Sequence, residues 1–287
     1  MRSIQPAPTR HDRAWSATGI GRAATLALHD ELCLAPKPGL VSLVDSGSHD
    51  DMDGNTFMRS LFTLRHYFTR IAELGHARAP FSALEQCGLE AESRMFAATG
   101  GVNTHRGAIF MLGLLCAAVA AAQSEGAPLT PGAVRAALMR HWGEPLDIRR
   151  TRTSNLPGGI AARRFGLRSA SEEAALGFPA VFEVAVPSWV RARRAGLLGA
   201  RLKLQVFFEI LAVLDDANLA RRGGLAGLHH ARSLARAFLA NGGASRAGAV
   251  DDAQDIHRDF VARRLSPGGC ADTLAATCFL ERVGALP

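Results

Sequence analysis

The sequence predicts an all-α protein, either a single multi-helix domain around a central apolar helix or two tightly packed helical lobes around the same helix. Hydrophobic residues make up 48% of the 287-residue chain and charged residues 21%, proportions typical of a globular protein. Apolar side chains recur at intervals of three and four, and no run of strands alternates with them. The most apolar stretch, residues 108–122, is shorter than the roughly 20 residues of a bilayer-spanning helix, so it predicts a buried helix.

Apolar periodicity places most helices in chain order. The first 15 residues mix Arg and Asp and lack an apolar run, so we expect a flexible N-terminal tail before an all-helical domain at residues 16–287. One amphipathic helix is expected to end near Gly75 and carries a stripe of apolar side chains at Phe57, Leu61, Leu64, Phe68 and Ile71. Further helices are predicted at residues 22–35, 82–98, 171–177, 181–194, 200–214 and 251–264.

Start and stop signals add three helices and one long connection. A Thr-Pro pair at residues 130–131 is typical of a helix N-terminus, and this helix is expected to end at Gly143. A helix over residues 225–238 is followed by an Asn-Gly stop signal, and a Ser-Pro pair at residues 266–267 opens the last helix. Residues 147–168 are polar and rich in Arg, and they predict a long connection between two halves of the chain.

The charge and aromatic content of the chain indicate its class of partner, and its cysteines indicate its redox state. The chain carries 33 basic and 26 acidic residues, and its net charge of +7 indicates an anionic partner. Aromatic residues are only 6%, and no basic run is interleaved with stacking residues, so nucleic acid is disfavoured. Five cysteines without a CxxC pair predict reduced core residues. We therefore expect a cytoplasmic protein that binds small anionic molecules and no membrane.

Acidic residues concentrate in the segment at residues 36–53, which reads PKPGLVSLVDSGSHDDMD. His49, Asp50, Asp51 and Asp53 fall within five positions, and a hard cation such as Mg²⁺ would relieve their mutual repulsion. The alternative is a solvated acidic turn that the dipole of the following helix stabilises. Lys37 is one of only two lysines in the chain.

A second polar segment, TGGVNTHRG at residues 99–107, directly precedes the apolar helix. A turn at Gly100 and Gly101 that leads into a helix N-terminus would expose N–H groups able to bind phosphate. Further side-chain donors follow at Asn103, Thr104, His105 and Arg106. The alternative is a capping turn that needs only Thr104.

Two more segments combine acids with glycines: DDANLARRGG at residues 215–224 and LSPGGCAD at residues 265–272. In the first, two carboxylates placed at a helix C-terminus predict a nearby cation, either Arg221 and Arg222 or a metal ion. The second opens a helix with a Gly-Gly turn. Because the chain lacks GxxxxGK[ST], GxGxxG after a strand and HExxH, these segments predict a binder of Mg-nucleotide or polyphosphate that is not a Walker-type NTPase.

Together, five segments resemble the triphosphoribosyl-dephospho-CoA synthases, which make the precursor of the prosthetic group of malonate decarboxylase and citrate lyase. The matching residues are PKPGLV at 36–41, GSH..DMD at 47–53, TGGVNTH.GAIF at 99–110, D.NL..RGG at 216–224 and LSPGG.AD at 265–272. Residues 54–68 look more like the malonate decarboxylase branch. The chain departs from the family pattern at Asp50, Ala217, Arg221 and Cys270, so no role is carried over to these four.

The resemblance implies that ATP donates its triphosphoribosyl group to the ribose 2'-hydroxyl of 3'-dephospho-CoA and that adenine departs. Such a displacement at an anomeric carbon needs a base, an acid or strong donor, and cations around the triphosphate. Catalytic roles are implied for His105, Asp53 and Asp216, and Mg²⁺ ligation for Asp51, Asp53 and Asp216. Nucleotide or phosphate contacts are implied for Lys37, Gly100, Gly101, Asn103, Thr104, Asn218, Arg222, Gly223, Gly224, Gly268 and Gly269.

Two other functions stay open from the sequence. His-Asp pairs begin at His11, His29 and His49 and suggest an HD-type phosphohydrolase, which would release phosphate or pyrophosphate and no adenine. A non-enzymatic assembly factor would bind nucleotide without forming adenine. A homodimer, and a transient contact with a prosthetic-group transferase or a carrier protein, are compatible with the resemblance.

Overall fold

The computed structural model describes residues 14–287, and the regular elements of this part of the chain are all helical. The α-helices are α1 (Ala17–Leu32), α2 (Gly54–His76), α3 (Phe81–Thr99), α4 (Arg106–Ser124), α5 (Pro131–Thr151), α6 (Pro157–Phe165), α7 (Ala170–Ala175), α8 (Val186–Arg194), α9 (Gly199–Leu211), α10 (Ala217–Ala240), α11 (Ala249–Ala262) and α12 (Gly268–Arg282). A π-helical turn, Ala180–Ala185, precedes α8, and a short 3₁₀ turn, Gly243–Ser245, follows α10. The predicted all-α class is confirmed, as one domain.

Helix α4 is the centre of this domain. Every residue from Leu112 to Ala122 is buried, and helices α1, α2, α3, α5 and α12 pack around it. By length and composition alone it is the one described helix that could cross a membrane, yet 78% of its most apolar window is buried inside the protein. The apolar stretch is therefore a core helix, as the sequence predicted.

The beginning of the domain is fixed by a cap and by contacts to distant residues. Ser16 caps α1 by accepting a hydrogen bond from the Gly19 amide. The indole N–H of Trp15 donates to the carbonyl oxygen of Val283 at 2.9 Å, and its amide donates to the Gln123 side chain. Residues 1–13, the greater part of the predicted tail, lie outside the described residues.

The predicted end of α5 at Gly143 is wrong, because the helix continues through Pro145 to Thr151. Leu146, one turn beyond the expected stop, is fully buried. Arg149 forms an ion pair with Glu85 of α3. Burial and this ion pair hold the last turns in place although Pro145 removes one backbone hydrogen bond.

The long connection predicted at residues 147–168 is also wrong. It contains the last turn of α5 and all of α6, which starts with Pro157 in its first turn and ends at Gly166 in the left-handed region, with φ of 63°. A proline at the start and a glycine at the end are ordinary helix boundary signals. They delimit a helix of only nine residues, too short for its apolar periodicity to stand out.

Helix α10 begins earlier than the predicted residue 225. Asp216 is its N-cap, and the helix breaks once at Gly224, where φ is 63° and ψ is −169°. Residues 217–223 are therefore helical and are not a connector. Their position places Asn218, Arg221 and Arg222 on successive turns next to the site described below.

The cysteines follow the prediction except for one. Cys87, Cys116, Cys270 and Cys278 are buried and free, but Cys33 is exposed beside His29 at the end of α1. No disulfide joins any of the five, all of which lie in the described part of the chain.

Candidate active site

A polar cleft of about 210 Å³ opens where α1, α4, α10 and α12 meet the loop between α1 and α2. Residues from all five segments that the sequence analysis selected line it. They are Leu40 and Val41, then His49, Asp51 and Met52, then Asn103, Thr104, His105, Arg106 and Gly107, then Asn218, Arg221 and Arg222, then Ser266, Gly268, Ala271 and Asp272. Leu28, Glu31, Phe57 and Ala275 complete the lining. Segments more than 200 residues apart in sequence thus share one surface.

One part of the lining, formed by His49, Arg221, Arg222 and Ser266, is cationic, and we call it the cationic wall. The guanidinium of Arg222 donates to the carbonyls of Ser48 and Arg264 at 2.9 and 3.0 Å and to Nδ1 of His49 at 3.0 Å. Nε2 of His49 lies 2.9 Å from the Ser266 hydroxyl. Burial, together with the neighbouring Arg222, lowers the pKa of His49. The imidazole is therefore neutral and holds the loop, while the arginines carry the charge.

Arg221 is the exposed cation of this wall. It lines the cleft and, among the described residues, forms no ion pair. The neighbouring arginines are engaged, since Arg106 pairs with Glu92 at 2.9 Å and Arg264 lies 3.4 Å from Asp50. A guanidinium without a carboxylate partner at the edge of a cleft is suited to binding phosphate oxygens.

The other part of the lining is formed by Glu31, His105 and Asp272, and we call it the carboxylate wall. Glu31 and His105 are buried, and Asp272 is half-buried. Glu31 of α1 forms a buried ion pair with Lys37, whose ammonium also donates to the Glu31 carbonyl at 2.9 Å. The side chains of Lys37 and Glu31 are 1% and 5% exposed. Glu31 lines the cleft and Lys37 does not, so the lysine neutralises this carboxylate from behind.

Asp272 projects from α12 onto the N-terminus of α4. A methyl group added to Gly107 would come within 1.9 Å of its Oδ2, so the absence of a side chain at Gly107 makes room for the carboxyl group. The Ala108 amide donates to it, and this bond favours the ionised form. Burial and the nearby carboxylates of Glu31 and Asp216 outweigh the bond and raise the pKa of Asp272 well above its ordinary value.

His105 completes the carboxylate wall. It is 3% exposed, and its ring packs edge-on against Phe57 at 4.8 Å. The Thr104 hydroxyl donates to the Ser60 hydroxyl at 2.7 Å, and Ser60 lies 2.7 Å from Nδ1 of His105. Nε2 is buried and has no hydrogen-bond partner among residues 14–287. Burial and the positive charge of Lys37 lower the pKa of His105 to about 3, so the ring is neutral near pH 7.

Comparisons with known proteins show the family of this chain. The profile of the ATP:dephospho-CoA triphosphoribosyl transferase family matches residues 17–286, which is almost the whole chain. The chain belongs to this family. It is 37% identical over 272 residues to a probable 2-(5''-triphosphoribosyl)-3'-dephosphocoenzyme-A synthase of Acinetobacter calcoaceticus, covering 95% of this chain and 93% of the relative. It is 35% identical over 296 residues to the 2-(5''-triphosphoribosyl)-3'-dephosphocoenzyme-A synthase of Klebsiella pneumoniae, covering 97% and 95%.

No solved structure significantly matches the chain. The family membership makes the chain an enzyme of the transferase class, and it does not decide between the malonate decarboxylase and citrate lyase branches. The residues implied by the resemblance take different positions in this transferase, some in the cleft and some in its support.

Asp216, implied as a metal ligand and catalytic group, occupies a structural position in this transferase. It is 1% exposed and does not line the cleft. One oxygen accepts from the amides of Asn218 and Leu219 at 2.9 and 3.2 Å, and the other accepts from the Cys270 amide at 3.0 Å. The carboxylate therefore caps α10 and ties it to the start of α12, while burial raises its pKa against these bonds.

Asp51 and Asp53 have different surroundings, and only Asp51 lines the cleft. Asp53 caps α2, accepting from the amide and hydroxyl of Thr56 at 2.8 and 2.7 Å, and these bonds lower its pKa. Asp51 lines the cleft, is mostly exposed, and lies 3.5 Å from Nδ1 of His49. Within residues 14–287 no group of three or more His, Cys, Asp or Glu side chains is arranged to hold a metal ion. The structure thus does not bring Asp51, Asp53 and Asp216 together as a ligand set.

The Gly100–Gly101 turn ends α3 and does not open α4. Both residues have positive φ, 68° and 89°, and both of their amides donate to the Phe96 carbonyl as a helix C-cap. Neither glycine lines the cleft. Asn103 caps α4 instead, through its side-chain oxygen and the Arg106 amide at 3.2 Å. The donors expected from this turn are therefore already used.

The remaining glycines divide between the cleft and its support. Gly268 lines the cleft, and a methyl group there would come within 2.6 Å of the Asn218 side chain. A methyl group on Gly269 would come within 3.1 Å of Asp216. One on Gly223 would come within 2.6 Å of Leu265, and Gly224 forms the break in α10. Gly268 and Gly269 therefore allow the starts of α10 and α12 to approach each other closely, and Gly223 makes room for Leu265 in the loop before α12.

Sequence reasoning missed Glu31, Ser60 and the role of Asp272. Glu31 and Ser60 lie inside regular amphipathic helices, where nothing in the local pattern distinguishes them from ordinary helix residues. Asp272 was within a selected segment, LSPGGCAD, but a single acid after a Gly-Gly turn gave no reason to assign it a role. Its position facing α4 follows only from the packing of distant helices.

Proposed function

We propose that this transferase moves the triphosphoribosyl group of ATP to the ribose 2'-hydroxyl of 3'-dephospho-CoA in the cleft and releases adenine. Both relatives are named as synthases of this product, the first as a probable one. The single observation that carries the proposal to this chain is the convergence of all five selected segments on one cleft. A polar cleft lined by cations on one part and by a neutral imidazole and carboxyl groups on another is suited to such a transfer.

The proposed reaction forms one bond and breaks one bond. The 2'-oxygen of dephospho-CoA bonds to the anomeric carbon of ATP as the bond from that carbon to N9 of adenine breaks. The electron pair of the broken bond leaves with adenine, and the proton of the hydroxyl group is lost to solvent while adenine takes up one proton. The ribose passes through an oxocarbenium-like state, and the triphosphate stays intact.

The cationic wall is suited to holding the triphosphate. Arg221 carries its charge at the mouth of the cleft, and Arg222 fixes the Ser48–His49 backbone beside it. Phosphate oxygens are recognised well by guanidinium groups, because each offers several donors in one plane. Lys37, whose ammonium is held by Glu31, stays an implied phosphate contact only if that ion pair opens.

His105 is suited to donating a hydrogen bond and not to transferring a proton. Because the Thr104 hydroxyl donates to Ser60, the Ser60 hydroxyl can donate to Nδ1, which leaves the ring hydrogen on Nε2. The buried Nε2 has no partner in the described part of the chain, and His105 lines the cleft. A neutral ring with a pKa of about 3 offers this N–H to a substrate acceptor over the whole neutral range.

Mg²⁺ enters this proposal only as an ion bound to the triphosphate of ATP. The ligand set implied by the resemblance does not fit the structure, since Asp53 and Asp216 are used as helix caps. Asp51 alone among the three reaches the cleft. We therefore assign no step of the reaction to a protein-held metal ion.

We further propose the malonate decarboxylase branch, because the similarity at residues 54–68 covers the first four turns of α2, which touch the site. Phe57 packs on His105, and Ser60 bonds to it. A cytoplasmic location, a homodimer and a transient contact with a prosthetic-group transferase or carrier protein stay predictions. Of the alternative functions, an HD-type site is not supported by the two described pairs, since His29 does not line the cleft and His49 is bound by Arg222 and Ser266. His11 lies outside the described residues.

Chromatography of a reaction mixture tests the proposal. The purified protein is incubated with ATP, MgCl₂ and 3'-dephospho-CoA, and we expect adenine to appear in a 1:1 ratio with a product heavier than dephospho-CoA by a triphosphoribosyl group. Omitting dephospho-CoA is the control and should abolish adenine formation. Release of phosphate or ADP without adenine would contradict the proposal, and binding of ATP with no new product would favour the assembly factor.

A further inference from the structure

We propose that Asp272 is the catalytic acid of this reaction, giving its proton to a ring nitrogen of adenine as the bond to the anomeric carbon breaks. This inference rests on the proposed function and assigns a role to a residue that the motif comparison left without one.

Asp272 is placed where it can contact a substrate in the cleft. Asp272 lies on α12 with part of its surface facing the cleft. Its carboxyl group is seated against Gly107, where a side chain would collide with it. The Ala108 amide at the start of α4 holds one oxygen. Asp272 therefore reaches the cleft from a seat between the start of α4 and the start of α12.

The charges around Asp272 disfavour its ionised form. The ionisable groups that face Asp272 are both carboxylates, Glu31 on α1 and Asp216 at the start of α10, and α4 contributes the Ala108 amide. Lys37 is occupied by its ion pair with Glu31. Burial, together with these two carboxylates and without an opposing cation among the described residues, raises the pKa of Asp272 well above its ordinary value, so the group keeps its proton to higher pH than an ordinary carboxyl group. A carboxyl group that keeps its proton near neutral pH can act as a general acid.

The other ionisable groups at or near the cleft are less suited to donating a proton. His105 has a pKa of about 3 and holds no second proton to give near pH 7. Glu31 is neutralised by Lys37 as an ion pair, and Asp51 is mostly exposed beside His49. Asp216 does not line the cleft. Asp272 is thus the one carboxyl group of the described lining that combines access to the cleft with surroundings that retain its proton.

The proton balance of the step closes without any further reactant. Asp272 loses its proton to adenine, which departs as a neutral base with the electron pair of the broken bond. The ribosyl carbon accepts the 2'-oxygen of dephospho-CoA, whose proton passes to solvent. Asp272 then regains a proton from solvent, so each turnover moves one proton from the hydroxyl group to adenine.

Asp272→Asn is the decisive variant, because an amide imitates the protonated carboxyl group in shape and can keep the bond to Ala108. With ATP, we expect the turnover of D272N to fall by on the order of 10²-fold or more, the usual size of a general-acid contribution. With N7-methylated ATP, whose base leaves as a neutral molecule without taking up a proton, we expect D272N to stay within about 10-fold of the wild type. Asp255→Asn, an exposed carboxylate on α11, is the control and should match the wild type.

The pH profile gives an independent readout. The acid works when protonated, so the turnover of the wild type with ATP should fall as the pH rises through the raised pKa of Asp272. With N7-methylated ATP this alkaline decline should disappear. D272N should also unfold at a temperature no lower than that of the wild type at pH 8, since it removes a carboxyl group that is costly to ionise in the folded protein.

Three outcomes would overturn the inference. If D272N loses the same factor with ATP and with N7-methylated ATP, Asp272 only positions the substrate. If D272N turns over ATP normally, Asp272 has no part in the chemistry. If D272N fails to fold, Asp272→Glu serves instead, and an unchanged alkaline decline in that variant would contradict the role. Failure of the proposed function is distinct, because the wild type itself would then form no adenine.

Discussion

The two walls of the cleft differ in how their charges are arranged. On the cationic wall, Arg221 is exposed and forms no ion pair within the described residues, and Arg222 is bound to backbone carbonyls and a neutral imidazole. On the carboxylate wall, Glu31 and His105 are buried and Asp272 is half-buried, and Lys37, which lies behind the wall, is paired with Glu31. An exposed unpaired charge is suited to binding an anion, whereas a buried group with a shifted pKa is suited to chemistry. From this difference we infer that binding and catalysis depend on separate sets of residues in the cleft.

The largest expected effect concerns stability of the carboxylate wall. Lys37→Met should lower the free energy of unfolding by about 3–5 kcal/mol, because it leaves Glu31 buried and unpaired beside Asp272. Chemical denaturation followed by circular dichroism measures this change. The double variant Glu31→Gln with Lys37→Met removes both charges and should recover most of the loss. If Lys37→Met is as stable as the wild type, the lysine is not the partner of Glu31, and the carboxylate wall is arranged differently.

A second expected effect concerns the donor at the centre of the carboxylate wall. His105→Ala should lower the turnover number by about 10²–10³-fold, the usual cost of losing a fixed donor in an active site. His105→Gln can place an N–H near the position of Nε2 and should recover at least about 10-fold of this loss. Steady-state kinetics with ATP and dephospho-CoA measures both. Equal loss in the two variants would argue against a donor role.

The same residue gives a signature in stability. The pKa of His105 falls from its ordinary 6.5 to about 3 on folding, so the folded protein keeps the ring neutral where the unfolded chain protonates it. The stability contributed by His105 is therefore complete above pH 6.5 and is lost as the pH falls toward 3. His105→Gln should accordingly lose less stability than the wild type between pH 7 and pH 4 in parallel denaturation series.

The smallest expected effect tests whether the phosphate lies at the cationic wall or at the turn before α4. Gly101→Ala should cost about 1–2 kcal/mol of stability, because residue 101 has φ of 89° and no space limits the new methyl group. The KM for ATP should stay within about 2-fold of the wild type, since the amides of the turn are used to cap α3. A rise in KM of about 10-fold, with stability unchanged, would return the phosphate to this turn.

The sequence predicts much of this fold because its strongest signals are local. The apolar run of α4 and the regular stripe of α2 leave little alternative to amphipathic and buried helices. The Thr130–Pro131 start of α5 is likewise confirmed. Where tertiary contacts override a local stop signal, as at Gly143, the prediction fails.

The site is less predictable, for reasons that two Gly-Gly turns illustrate. Gly100–Gly101 and Gly268–Gly269 look alike in sequence, but the first closes α3 and the second opens α12 on the cleft. The glycines alone do not show whether a helix begins or ends at such a turn. Carboxylates show the same difficulty, because Asp53 and Asp216 face helix amides while Asp272 faces other carboxylates. The motifs predict which segments form the cleft, but the position of each side chain within it follows only from the packing of the helices.

The most direct test of the division between the two walls is the affinity for tripolyphosphate, which carries the charge of the ATP tail without ribose or adenine. Isothermal titration calorimetry is carried out on the wild type, Arg221→Ala and Asp272→Asn, with Arg258→Ala of α11 as a control for net charge. Arg221→Ala should bind about 10-fold more weakly, consistent with loss of one charge-assisted hydrogen bond, and the other variants should match the wild type. Normal binding by Arg221→Ala together with weak binding by Asp272→Asn would contradict the account.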